Sequence, residues 1–137
     1  MRVRVYYNLN RSVWSIKAME GEFKGKVIGY ASSVVLSDAH TVVSEAGRQR
    51  VLREQRKNVH AYIDGQLQHV GGYQERLLPA SRTGYLAGLR GKLCNLYYNP
   101  YHVDHFTWAN HPGSPEGKVL PEVILGSDRK VRAVPPQ

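Results

Sequence analysis

Five cations stand within ten positions of this chain, Arg48, Arg50, Arg53, Arg56 and Lys57, with Glu54 the only acid among them. Arginine offers a planar fork of donors that fits phosphate and carboxylate oxygens, so several on one surface favour a polyanion and make its binding salt-dependent. Tyr6 and Tyr97, each followed by a second tyrosine, could add stacking platforms for bases. A second chemical cluster is His102, Asp104 and His105, followed by Asn110-His111. A histidine beside an aspartate can act as base while a later Asn or His holds a metal, so these three residues are candidate metal ligands. On a strand, however, His102 and Asp104 face one side and His105 the other. No Ser-His-Asp, Cys-His or phosphate-loop spacing stands out, and neither catalytic residues nor a cofactor are assigned.

The elements that must position these groups are mostly short strands. In Arg2–Tyr7, Val3, Val5 and Tyr7 alternate with Arg2, Arg4 and Tyr6, and with Ser12–Lys17 this predicts a β-hairpin. Lys26–Tyr30, Val34–Leu36 and Thr41–Val43 read as further short strands, with Ser37-Asp38 as a turn. Ser44 is a suitable N-cap and Glu45 favours the positive end of a helix dipole, so the cations fall on a helix. Its Arg50, Arg53 and Lys57 share one side, and Arg48, Val51, Leu52 and Gln55 the other, which is expected to dock on the sheets. Asp64-Gly65 has the chemistry of a two-residue turn, pairing Val59–Ile63 with Gln66–Val70 and placing His60 opposite His69.

Tyr6-Tyr7-Asn8, Gly25-Lys26-Val27 and Leu36 return in the same order, as Tyr97-Tyr98-Asn99, Gly117-Lys118-Val119 and Leu125, roughly 90 residues later. Such self-similarity predicts an internal repeat covering about 3–43 and 95–134. The expected fold is a single β-rich α+β domain over 1–137. Two duplicated short antiparallel meanders pack together, with the basic helix and hairpin (44–70) and a loop-rich insertion (71–94) between them. Trp14, Phe106 and Trp108 are expected in its core.

Nineteen Lys and Arg against eleven Asp and Glu leave a formal charge of +8, which favours an acidic partner. Cys94 is the lone cysteine, so a disulfide framework and a thiolate zinc site are excluded. The first residues alternate like a strand and do not build a signal-peptide core, and no apolar run approaches a membrane span. A cytoplasmic protein without a membrane partner is expected.

The block VSEAGRQRVLREQRKNVHAYIDG, flanked by RVYYNLNRSVWS and YYNPY, resembles a family of small uncharacterised phage-encoded proteins with a SEAGRQRVLRE-RKNVHA centre and a YNPY segment. The chain departs from that pattern at His102–His105 and over Gly71–Lys92. The resemblance implies a phage accessory protein in the bacterial cytoplasm. Joined to the charge argument, it gives a non-enzymatic protein that binds nucleic acid or a host nucleoprotein complex through its basic helix and counteracts an anti-phage defence, alone or as a homo-oligomer. The alternatives are an inhibitor of an acidic host protein surface, and a metal-dependent nuclease. His102–His105 resembles the first half of an HNH motif, although the cysteine pairs common around such motifs are absent.

Overall fold

The alternation of the first strand is realised residue by residue: in β1 (Arg2–Asn8) Val3, Val5 and Tyr7 are buried while Arg2, Arg4, Tyr6 and Asn8 are half-exposed. The computed structural model describes residues 1–8, 10–54, 59–74, 93–98, 106–109 and 111–136. These form β1, β2 (Val13–Ala18), β3 (Val27–Val43), α1 (Glu45–Glu54), β4 (Ala61–Gln74), β5 (Cys94–Tyr97), β6 (Thr107–Trp108), β7 (Leu120–Leu125) and β8 (Val131–Ala133). All strand pairings are antiparallel and belong to one eight-stranded sheet. Strands β1 to β4 close on themselves, because β1 pairs β2, β2 pairs β3, β3 pairs β4 and β4 pairs β1. Beyond its contact with β2, the same edge of β3 takes up β7 from Val34 to Ala39 and leads on to β8, β5 and β6.

Two turn expectations are corrected, and they meet at one place. The segments predicted as three short strands around a Ser37-Asp38 turn are a single 17-residue strand, and Asp64-Gly65 lies inside the 14-residue β4. Ser37 pairs Gln66 and His40 pairs Asp64, so Asp38 and Ala39 oppose Gly65 alone in a β-bulge. Asp38 takes the left-handed φ of 46° there. Gly65 is needed for space, since a Cβ on it would stand 3.0 Å from Ala39 Cβ and 3.1 Å from Leu36 Cβ. The expected pairing of His60 with His69 also fails: His69 pairs Val35, and the His60 carbonyl accepts from Ser44 N–H.

Among the described residues the meanders expected from the repeat are not seen as two packed units. β3 and β7 join edge to edge in one sheet, and among the described residues β6 pairs with β5 alone, whereas β2 pairs with both β1 and β3. Helix α1 lies between β3 and β4 as expected; of the predicted insertion, the first residues belong to β4, and 75–92 lie outside the described residues.

Trp14, Phe106 and Trp108 are buried, as their aromatic character required. Tyr7, Trp14, Tyr98 and Phe106 form a run of rings with successive centroids 5.0, 5.6 and 5.9 Å apart. Trp14 Nε1 donates to the Gly126 carbonyl at 2.9 Å, tying β2 to the β7–β8 connection. Where β1 and β4 part beyond Val5 and Ile63, the Tyr98 hydroxyl accepts from Tyr7 N–H at 3.2 Å and donates to the Ala61 carbonyl at 3.0 Å. It thereby satisfies the two groups that the next ladder bond would have joined.

Candidate functional site

Helix α1 starts where β3 ends. Ser44 Oγ accepts from Gly47 N–H at 3.2 Å, and the Ser44 carbonyl from Arg48 N–H at 2.9 Å, so the cap forms as the sequence predicts. Glu45 binds Arg48 at 2.9 and 3.1 Å and Gln49 at 2.8 Å. Those bonds, Arg48's first, hold its carboxyl below the usual range. Arg48 is therefore occupied within the helix, whereas Arg50 and Arg53 are exposed and face no acidic partner among the described residues. The expected docking of the Val51 and Leu52 side is corrected for Leu52, which is 62% exposed, while Val51 is half-buried and no described helix residue is fully buried. Arg56 and Lys57 lie outside the described residues, as do His102, Asp104 and His105. Among the described residues no group of three His, Cys, Asp or Glu side chains is placed to hold a metal.

Tyr6 points outward from β1 and meets Tyr62 edge-on at 5.8 Å. The Arg4 guanidinium lies 5.0 Å above the Tyr62 ring and grips Asp64 with Nε and Nη2 at 2.8 and 3.0 Å. His40 Nε2 stands 3.9 Å from the same carboxylate. The bond to Asp64 raises the Arg4 pKa further, and burial raises that of Tyr62. This arrangement was not foreseen, because Arg4 and Asp64 are 60 residues apart and only the β1–β4 register joins them.

Tyr97 is 66% exposed and borders a cleft of about 290 Å³ with Asn95, Tyr98, Ala109, Arg129 and Lys130. The Arg129 guanidinium sits 4.8 Å above the Tyr7 ring. Tyr97, Tyr6 and the helix arginines do not converge on one pocket: Tyr97 is in the cleft, Tyr6 lies against Tyr62 on the outer sheet face, and the arginines lie on α1.

A family model described as Mycobacterium phage L5 gene 82 protein matches residues 1–132. The chain belongs to this phage protein family. The gene 82 protein of Mycobacterium phage L5 is 40% identical over 116 residues, which cover 80% of this chain and 79% of that protein. No solved structure matches. The gene 82 match takes in α1, the Arg4–Asp64 pair and the cleft alike, so all three belong to the part of the chain the family shares. Membership agrees with the resemblance drawn from the central block. No helix among the described residues is long and apolar enough to cross a membrane.

Proposed function

We propose that this phage protein acts by stoichiometric binding in the cytoplasm of the bacterial host. Arg50 and Arg53 of α1, with Arg48, Arg56 and Lys57 beside them in sequence, engage nucleic acid or a host nucleoprotein complex, to the detriment of an anti-phage defence. The observation that carries this is a helix with no fully buried residue among those described. α1 is capped and internally braced, yet leaves Arg50 and Arg53 exposed. A helix normally gains most of its stability by burying one face. One that does not is supported here as a presented surface, and its charge suits phosphate.

The test is binding of the intact chain to random single- and double-stranded DNA and RNA over a salt series. Arg50→Ala/Arg53→Ala is expected to lower the slope of log affinity against log salt by about 2, and Arg50→Glu/Arg53→Glu to abolish binding with the melting temperature kept. Failure of every nucleic acid to bind at low salt would overturn the proposal.

A second reading, an inhibitor that docks on an acidic host protein, is favoured by Leu52, which at 62% exposure sets an apolar anchor among the cations. Leu52→Ala would weaken such a complex strongly and a nucleic-acid complex hardly at all.

A further inference from the structure

We propose that the cleft beside Tyr97 binds a single nucleotide unit, with its phosphate on Arg129 and Lys130 and its base against the Tyr97 ring. This site is separate from α1 and does not depend on the function proposed for that helix.

The β7–β8 connection has an unusual residue at a demanding position. Leu125 pairs Val131, Gly126 N–H donates to the Lys130 carbonyl at 2.9 Å, and residues 127–129 make the loop. Its last residue, Arg129, has φ of 70°. In three-residue hairpin loops that left-handed position is usually given to glycine, because a Cβ is disfavoured there. The arginine instead folds back over Tyr7, which fixes one face of its guanidinium at 4.8 Å from the ring and leaves its N–H edges for a ligand.

The loop's own carboxylate does not neutralise it. Asp128 accepts from Arg132 Nη2 at 2.8 Å and from Lys130 N–H at 3.1 Å, so its charge is spent on a neighbour outside the cleft lining. Arg129 and Lys130 face no carboxylate among the described residues. Across from them Tyr97, 66% exposed, has no ring partner among the described residues, while Tyr98 next to it is packed between Trp14 and Phe106.

The chemistry of the lining selects the ligand. A bare phosphate would satisfy the two cations and leave the exposed Tyr97 ring wet, whereas an apolar ligand would leave the cations unanswered. A planar base carrying a phosphate uses both, through stacking and charge-assisted hydrogen bonds. About 290 Å³ is at the lower end for small-molecule sites, enough for one nucleotide rather than two. That unit is either free or the terminal nucleotide of a single strand.

The test is calorimetric titration of the full chain with the four nucleoside 5′-monophosphates, with inorganic phosphate and with 5′-phosphorylated tetranucleotides. Nucleotides are expected to bind at least about tenfold more tightly than phosphate. Arg129→Gly and Tyr97→Ala are each expected to weaken them by about tenfold or more, with Tyr97→Phe retaining affinity. Glycine suits the φ at 129, so Arg129→Gly should melt no lower than the parent chain and its loss of binding is not a loss of fold. Arg50→Glu/Arg53→Glu should leave mononucleotide binding unchanged, which separates this site from the helix. A tetranucleotide that binds more tightly than the monomer identifies a strand end, and the reverse order a free nucleotide; both support the site. Absence of binding by every nucleotide overturns it, as does phosphate binding as tightly as nucleotide, or unaltered affinity in Arg129→Gly and Tyr97→Ala.

Discussion

Arg4 and Asp64 face each other across the β1–β4 pair and exchange two hydrogen bonds, 2.8 Å from Nε and 3.0 Å from Nη2, with the carboxylate only 11% exposed. A shielded, two-pronged pair differs from a surface contact in what its loss exposes: an arginine left opposite a neutral amide keeps its desolvation cost without its partner. Asp64→Asn is therefore expected to cost about 2 kcal/mol, reduced from a fully buried case by the partial exposure of Arg4. Arg4→Met/Asp64→Leu should recover most of that loss. Urea unfolding of the three proteins checks both statements.

Tyr98 offers a cleaner separation of ring from hydroxyl. Tyr98→Phe keeps the stacking on Phe106 and the contact with Trp14 but leaves Tyr7 N–H and the Ala61 carbonyl without their bridge. The expected cost is about 1–3 kcal/mol. Hydrogen exchange should show the Tyr7 amide losing protection beyond the global change.

Gly65 distinguishes a bulge from a turn. Its missing side chain makes room for Leu36, Ser37 and Ala39 on β3, so Gly65→Ala is expected to destabilise by about 1–3 kcal/mol through overpacking. A solvent-facing turn glycine would not meet those neighbours. Denaturant midpoints of Gly65→Ala and the parent chain decide the matter, an unchanged midpoint contradicting the close contact.

Helix α1 gives a stability expectation opposite in size to that of a docked helix. Leu52→Ala should change the unfolding free energy by less than about 0.5 kcal/mol, because the side chain is already in solvent. The helix should instead respond to pH. Glu45 has a folded pKa below its ordinary value, held there first by Arg48 and then by Gln49. Its contribution is thus complete above the ordinary carboxylate range and disappears as pH falls through the lowered value. Helical circular dichroism should decline over that acid window, and less so in Glu45→Gln.

What could be read from the sequence was local. The alternation of Val3, Val5 and Tyr7, the Ser44 cap and the aromatic core depend on neighbours a few residues away, and all three appear in the fold. Ser37-Asp38 and Asp64-Gly65 both carry turn chemistry, yet they lie opposite each other in one bulge, and only the β3–β4 register reveals that each is used to bend a ladder rather than to reverse the chain. The Arg4–Asp64 pair is invisible for the same reason. Arg129 had no signal as a cleft residue, since nothing in the local pattern marks an arginine that takes a glycine's conformation.

The Tyr98 bridge to Tyr7 spans 91 residues, and the Trp14 bond to Gly126 spans 112. The β1–β4 ladder from Arg2 to Val5 needs only residues up to Gln66, but its continuation at Tyr7 waits for Tyr98, and Trp14 is without its acceptor until Gly126 is in place. Folding is thus burdened by the closure entropy of very long loops, the kinetic regime of slow, high-contact-order β proteins. Until those contacts close, the ring of Trp14 lacks its buried acceptor and the apolar strand faces beside it stay open to association with other chains.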